Sequence, residues 1–238
     1  MPEVELISYS REECIVTIRD YYSFLTKMYL REEDVLHPPE GGWPSITPED
    51  MADLGKTDDV ISLLRHLPYL RRGGNNFEDD PHGAAYCHFA NWQLESLDLE
   101  NGQTTGDVLR LTSESPDIYE NVPPHVVCLT SGNSKNPVFL LDAELGIKEA
   151  DWGGAAACWA VKDFVEMLKD QFIALSFIPI DSLTVNDVYA SHSQPRRDLL
   201  KRVQDIYLHH GWSDLENFRK DECLEAIQTV RREDFPQL

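Results

Sequence analysis

The sequence predicts an α+β fold in which a central antiparallel sheet, over about residues 84–150, is packed by N-terminal and C-terminal helices. Two observations lead to this prediction. Apolar residues recur at helical spacing near the N-terminus, change to short strand-like runs near residue 84, and return to helical spacing near 155. The order is therefore helices, a block of strands, and helices again, which is typical of α+β proteins rather than of alternating βαβ units.

Length and charge limit the class of protein. The chain has 238 residues, and we predict a single α+β domain over 1–238 with a C-terminal helical extension over about 184–238. Aspartate and glutamate number 42 against 21 lysine and arginine residues, so the net charge is −21. Nucleic acids and anionic membranes carry the same sign of charge, so we expect no membrane partner and no general DNA binding.

The cysteines indicate a reducing compartment. Their number is odd, they lie far apart in the sequence, and no two of them form a CxxC motif. The five are Cys14, Cys87, Cys128, Cys158 and Cys223. Most lie in apolar surroundings, which predicts buried free thiols rather than a disulfide framework. The N-terminal residues lack a basic start followed by an apolar run, and the longest apolar stretch is interrupted by charges. We therefore expect a cytoplasmic protein.

Start and stop signals define the N-terminal helices. The capping box SREE at 10–13 precedes apolar residues at helical spacing and predicts a helix over about 11–32. A cap, a proline and two acids at 47–50 predict a short helix. A similar acidic start after Thr57 predicts another helix, which Pro68 ends.

The middle of the chain has the pattern of strands. The polar, turn-rich segment 71–82 predicts a surface loop. Short apolar runs then alternate with Gly, Asn, Pro and Asp, and 100–121 is predicted to be a long excursion between strands. A hairpin turn is predicted around 143–146. The predicted strands lie in AAYCHFANW, QLESLDL, PHVVCLTSG, NPVFLLDAELG and IKEAD.

Helical spacing returns towards the C-terminus. The run WAVKDFVEMLKDQFIAL carries apolar residues on one side and predicts a helix. A last helical group is predicted over about 184–233, with one apolar face that stops at Gly211.

Motifs for metals and cofactors are missing from the sequence. There is no HExxH and no calcium-loop pattern, and no glycine-rich phosphate motif. His209 and His210 are adjacent, so on a helix they point about 100° apart and cannot chelate together as an i, i+4 pair does. We therefore expect no bound metal and no cofactor, although ligands from distant parts of the chain stay an alternative.

Nucleophilic catalysis has candidates but no motif. Ser131 follows a predicted strand outside any GxSxG elbow, and Cys87 adjoins His88. Neighbours on a strand face opposite sides, so Cys87 and His88 would need partners from elsewhere in the fold. Whether either Ser131 or Cys87 is a nucleophile stays open.

The aromatic and acidic residues near strand ends predict a site. Aromatic faces beside carboxylates suit a cationic ligand such as a guanidinium or amine. Tyr86, His88 and Trp92 alternate and would share one face of a strand, where His88 would be a general base with an ordinary pKa near 6.5. The alternative is an ordinary core face with a satisfied histidine. The predicted catalytic residue is His88, and the predicted binding residues are Trp43, Tyr86, Trp92, Asp142 and Asp151.

Three strings resemble an uncharacterised family of small fungal proteins: GGWPSITPED, LGKTDDVISLLRHLPYLR and VVCLTSGNSKNPVFLLDAELG. The strand pair VFLLDAELGI followed by the helix WAVKDFVEMLKDQF also resembles the SUKH superfamily of cell-wall regulators and bacterial toxin-immunity proteins. Together these resemblances cover roughly 43–175. They imply an α+β fold with a curved antiparallel sheet that acts as a binding scaffold without chemistry of its own.

Two functions follow as hypotheses. The first is a binding module that recognises a basic peptide, a protein or a small cationic ligand through an aromatic and acidic pocket. The alternative is a fungal secondary-metabolite enzyme acting on a cationic substrate, such as an arginine-containing cyclodipeptide synthase using aminoacyl-tRNA. That enzyme would need a local basic patch for tRNA. The basic clusters are Arg71–Arg72, Arg196–Arg197 with Lys201–Arg202, and Arg231–Arg232.

Overall fold

The computed structural model describes residues 9–74, 80–132, 136–149, 158–191 and 193–237. Within these ranges the chain forms seven α-helices and ten short strands, and the predicted α+β class is confirmed. The helices are α1 (Arg11–Met28), α2 (Asp58–His66), α3 (Trp92–Glu100), α4 (Gly106–Ser113), α5 (Val161–Ile173), α6 (Gln194–His209) and α7 (Lys220–Asp234). The strands are β1 (Val35–Leu36), β2 (Tyr69–Leu70), β3 (His82–Ala84), β4 (Cys87–His88), β5 (Val126–Cys128), β6 (Phe139–Asp142), β7 (Gly146–Glu149), β8 (Cys158–Trp159), β9 (Phe177–Pro179) and β10 (Val185–Asp187).

The N-terminal helices begin where the sequence predicts. The Ser10 hydroxyl accepts a hydrogen bond from the Glu13 amide at 3.3 Å and starts α1. The Thr57 hydroxyl accepts one from the Val60 amide at 3.4 Å and starts α2. The short helix expected after Thr47 forms as a single 3₁₀ turn a few residues later. Local capping signals therefore set these boundaries.

The predicted single central sheet over 84–150 does not form. The strands of this region belong to separate small antiparallel sheets: β3 pairs with β4, while β5, β6, β7 and β8 form a four-stranded sheet in that order. An isolated bridge between Phe89 and Thr130 joins the two sheets. The predicted hairpin around 143–146 is confirmed as the turn between β6 and β7. Of the predicted 71–82 loop, 75–79 lie outside the described residues.

The run QLESLDL is helical, not a strand, which corrects the prediction. It lies in α3, because the Asn91 side chain accepts a hydrogen bond from the Leu94 amide at 3.0 Å and caps a helix at this point.

The segment 100–121, predicted to be a long excursion between strands, contains the helix α4. Gly106 begins α4 against the 3₁₀ turn, where the Asp53 carboxylate accepts its amide at 2.6 Å. A Cβ at Gly106 would collide with the Asp53 backbone, so only glycine allows this approach.

One hydrophobic cluster includes buried residues from all parts of the described chain, from α1 to α7. Helix α1 packs along α5 and α2, and α5 and α6 cover β9. Cys14, Cys87, Cys128 and Cys223 are buried free thiols in this interior, as predicted. None of the described helices has both the length and the apolar composition needed to cross a lipid bilayer.

Candidate functional site

Two tyrosines at the C-terminal half of α1 and directly after it hold strand β3 in place. Tyr21 donates its hydroxyl hydrogen bond to the carbonyl of Gly83 at 2.6 Å, and Tyr29 donates to the carbonyl of His82 at 2.5 Å. Both tyrosines are fully buried, and Tyr29 is the residue that directly follows α1. These two hydrogen bonds therefore join β3 to the end of α1.

The β3–β4 hairpin brings two histidines into contact. His82 and His88 are register partners, and their ring centroids lie 4.4 Å apart with the planes nearly perpendicular. The tight turn between them requires Tyr86 to adopt a left-handed backbone with φ of 53°. A side chain at Gly83 would collide with the Phe89 ring, so a glycine is needed there.

The ring of His82 has a hydrogen-bond partner in either neutral tautomer. Its Nδ1 atom lies 3.1 Å from the amide nitrogen and 3.2 Å from the carbonyl oxygen of Val185. Nδ1 accepts from the amide when the proton is on Nε2, and donates to the carbonyl when it carries the proton itself. Strand β10 therefore anchors the ring in both cases.

Asn136 supports the His88 backbone with both ends of its side chain. Its Oδ1 accepts the His88 amide at 2.8 Å, and its Nδ2 donates to the His88 carbonyl at 3.1 Å. The same carbonyl also accepts the Ser131 amide at 3.2 Å, beside the bridge between Phe89 and Thr130.

A cavity of about 610 Å³ lies between the β3–β4 hairpin, α5, β6 and the end of β10. Its lining is mostly apolar, with a few polar groups from the hairpin and loops. The lining residues are His82, Ala84, Ala85, Tyr86, His88, Asn136, Pro137, Phe139, Phe164, Met167, Leu168, Gln171, Phe177, Asp187 and Ala190. An apolar concavity with a few polar groups is typical of small-molecule sites.

Burial keeps both imidazoles neutral at pH 7. Loss of solvent and, to a smaller extent, the nearby His82 together lower the pKa of His88 from 6.5 to about 4, against a hydrogen bond with the Asp80 backbone that raises it. Burial also lowers the pKa of His82. The predicted general base with a pKa near 6.5 is therefore corrected, because a histidine with a pKa near 4 is a weak base at pH 7.

Two further groups set the polarity at the edge of the cavity. Tyr86 donates its hydroxyl to the Asn186 side chain at 3.1 Å, and burial raises the pKa of the Tyr86 phenol while Arg196 acts in the opposite direction. Asp187 is half-buried, and its Oδ1 accepts the Tyr189 amide at 2.8 Å. The cavity edge thus offers one oriented carboxylate.

Two of the predicted site residues lie at this cavity, and the other described ones lie elsewhere. Tyr86 and His88 line it. Trp43 instead donates its indole to the Leu67 carbonyl at 2.8 Å. Trp92 is buried in the core and donates to the Cys128 carbonyl at 3.1 Å.

The predicted shared strand face is wrong, because Tyr86 occupies a turn and Trp92 is the first residue of α3. Asp142 lies at the end of β6 and does not line the cavity. Asp151 lies outside the described residues.

Sequence reasoning missed His82 and Asp187. A signal for His82 existed, since PHGAAYCH places two histidines around glycine and alanine residues that permit a tight turn. No local signal connects Asp187 or the α5 residues to the cavity, because those contacts join distant parts of the chain.

The nucleophile candidates do not reach this cavity. Cys87 is fully buried, and burial raises the pKa of its thiol well above the ordinary value, so the reactive thiolate is disfavoured. Ser131 lies beside a separate cavity of about 240 Å³ with Ser113 and Ser115. Across the described ranges, the one group of three ligating side chains close enough to share a metal ion is His125, Asp142 and Glu144, away from the cavity.

Comparison with family models, with curated proteins and with solved structures finds no match to the chain.

Proposed function

We propose that the chain binds a small molecule that has an apolar body and a protonated amine or guanidinium end, in the cavity beside the β3–β4 hairpin. The observation that supports this most is the character of the lining. Among the described lining residues Asp187 is the one acidic side chain, and none is a lysine or an arginine. A volume of about 610 Å³ lies within the range of roughly 300–1,000 Å³ for small-molecule sites.

The apolar part of the ligand would contact aromatic and thioether side chains. Phe139 and Phe164 pack edge to face with their centroids 4.9 Å apart. Met167 and Phe177 extend this surface. Aromatic faces attract cations as well as apolar groups, and methionine adapts to the shape of its ligand.

The charged end would pair with Asp187. Because burial holds His82 and His88 neutral at pH 7, they offer hydrogen bonds but no positive charge that would attract an anion. The net charge of −21 adds a long-range field that favours cations. The overall charge thus favours a cation, and Asp187 is the lining residue that would bind it, while Arg196 lies outside the lining but close enough to lower the pKa of Tyr86.

The buried thiols suggest where the protein acts, and the net charge suggests which partners it does not bind. We propose a cytoplasmic location, because four buried free thiols suit a reducing compartment. Membrane surfaces and DNA are not proposed as partners, since both are anionic. A basic peptide would bind by inserting one lysine or arginine side chain. Kinship with small fungal proteins or the SUKH superfamily stays a prediction, and a binding role agrees with it.

Three probes of one shape test the proposal. Calorimetry would compare 2-phenylethylamine, 2-phenylethanol and 3-phenylpropionate, which carry a positive, zero and negative charge. We expect the amine to bind best and the carboxylate worst. Asp187→Asn should weaken amine binding about tenfold and leave the alcohol unchanged, because a charge-assisted contact is lost. Asp98→Asn removes a half-buried carboxylate outside the cavity and should change the affinity for neither the amine nor the alcohol.

A steric variant locates the binding site. Ala190 is exposed at the edge of the cavity, so Ala190→Trp should block it and abolish binding of all three probes. Ala52→Trp, at another exposed alanine, is the matched control. Equal affinity for amine and carboxylate, or full binding by Ala190→Trp, would refute the proposal.

A second candidate is the biosynthetic enzyme acting on a cationic, arginyl-type substrate. One observation favours it: two imidazoles, those of His82 and His88, face the cavity, where a bound substrate would contact them. If aminoacyl-tRNA were the substrate, α6 offers the best contact surface. Among the described residues, Arg196, Lys201 and Arg202 of α6 form no ion pair.

The other basic clusters are partly neutralised. Arg72 pairs with Glu95 and Arg231 pairs with Asp181. Metabolite profiling after heterologous expression tests the enzyme: a new product that His88→Gln abolishes and His209→Gln retains would support it. An unchanged metabolite profile with the wild-type chain would count against it and leave the binding role.

A further inference from the structure

Three metal-ligating side chains meet at one edge of the four-stranded sheet. A ring nitrogen of His125 and carboxylate oxygens of Asp142 and Glu144 all lie within 4.8 Å of one another. His125 directly precedes β5, Asp142 ends β6, and Glu144 lies in the turn to β7. We infer that this trio binds a divalent transition-metal ion of the zinc class.

The backbone that carries the three ligands is well ordered by its own hydrogen bonds. Asp142 Oδ1 accepts the amides of Glu144 at 2.8 Å and Leu145 at 3.0 Å, which fixes the orientation of the Asp142 carboxylate. The Ala143 amide donates to the His125 carbonyl at 2.8 Å and extends the β5–β6 ladder to the metal ligands. Little backbone movement is therefore needed to bring the ligands to one ion.

The donor set selects the class of ion. Calcium and magnesium take oxygen ligands almost alone, whereas an imidazole with two carboxylates suits zinc and its neighbours. Two ligands at about 2.0–2.2 Å from one zinc ion in a tetrahedral shell lie about 3.3–3.6 Å apart. The ligand atoms, which lie within 4.8 Å of one another, must therefore approach by at most about 1.5 Å. Rotation of the exposed Glu144 side chain can supply this approach, while Asp142 is buried and His125 half-buried.

The surface position of Glu144 leaves a place for water as a fourth ligand, which gives the tetrahedral shell that zinc prefers. The bound ion would join the start of β5 to the end of β6 and to the following turn. None of the three ligands lines the cavity beside His88. The inference is therefore independent of the proposed function. It departs from the expectation of no metal because His125 is separated in the sequence from Asp142 and Glu144, and strand pairing brings it to them.

Zinc titration of the full chain, freed of metal with a chelator, tests the inference. We expect one Zn²⁺ per chain by calorimetry and a rise in melting temperature that grows with zinc concentration. His125→Gln and Glu144→Gln should each weaken binding at least tenfold, since each removes a direct ligand. Asp142 is not replaced, because its hydrogen bonds to the turn also have a structural role.

His209→Gln is the matched control, because it removes an exposed histidine that is not one of the three ligands. This variant should keep full affinity. Absence of zinc binding at micromolar concentration would overturn the inference. So would loss of binding in His209→Gln but not in His125→Gln, or a preference for Ca²⁺ over Zn²⁺ that His125→Gln leaves unchanged. Circular dichroism checks that each variant is folded.

Discussion

Two pairs of titratable side chains, one buried and one partly buried, differ in what surrounds them. Lys56 and Glu114 form an ion pair at 2.5 Å, and their side chains are 1% and 0% exposed. Burial lowers the pKa of Lys56 and raises the pKa of Glu114. His82 and His88 also have lowered pKa values through burial, but they face a cavity of about 610 Å³.

The comparison shows that a shifted pKa does not by itself identify a functional side chain. Burial shifts all four groups in the direction that disfavours charge, so the shift alone does not identify a site. Access to the cavity does identify one, because both histidines line the cavity and neither Lys56 nor Glu114 does. The ion pair therefore has a structural role, and the histidine pair is the one that a ligand can reach.

The largest expected effect comes from breaking the ion pair. Lys56→Ala leaves Glu114 as a buried charge without its partner and should lower the free energy of unfolding by about 3–5 kcal/mol. Because burial has the largest effect on both pKa values, we expect the double variant Lys56→Met, Glu114→Leu to stay within about 1 kcal/mol of the wild type. Urea unfolding measures both. A single variant as stable as the wild type would show that the pair is not buried.

The second effect is a dependence of stability on pH. Folded His88 has a pKa of about 4 against 6.5 when unfolded, so between these values the unfolded state binds more protons. The free energy of unfolding has its full value above pH 6.5 and falls by up to about 3 kcal/mol as the pH drops to 4.

His88→Gln should remove this part of the slope, measured as the difference from wild type in urea unfolding between pH 4 and 7. The exposed His209→Gln should leave the slope unchanged. Equal slopes in wild type and His88→Gln would contradict the lowered pKa.

The smallest effect concerns the support of the histidine pair. Asn136→Ala removes the partner of the His88 amide and should lower the free energy of unfolding by about 1–2 kcal/mol. Hydrogen exchange at that amide should become faster. Asn101→Ala removes an exposed asparagine and should stay within about 0.5 kcal/mol of the wild type. Unchanged exchange in Asn136→Ala would show that the side chain does not hold β4.

Local signals explain what the sequence predicted correctly. The helix starts at Ser10 and Thr57 depend on a side chain and an amide three residues away, and such contacts are visible in sequence. The hairpin around 143–146 is equally local. Tyr86 and His88 were chosen for a shared strand face that does not form, and the β3–β4 hairpin is what brings both to the cavity.

Contacts between distant residues explain what the sequence did not show. The apolar spacing in QLESLDL fits both a strand and a helix, and the Asn91 cap decides for the helix. Trp92 therefore enters the core, away from His88. The assembly of the cavity from β3, α5 and β10 depends on tertiary packing, as does the meeting of His125 with Asp142. Local patterns of residue type do not reveal these contacts.

The most direct test asks whether a ligand reaches the His82–His88 pair and not the Lys56–Glu114 pair. It is a titration of the isotope-labelled chain with 2-phenylethylamine, followed by nuclear magnetic resonance. We predict saturable shifts of the ring signals of His82 and His88, with no change at the side chains of Lys56 and Glu114. The Ala190→Trp variant should lose these shifts. Saturable shifts that leave both histidine rings unaffected, or no saturable shift at all, would contradict the account.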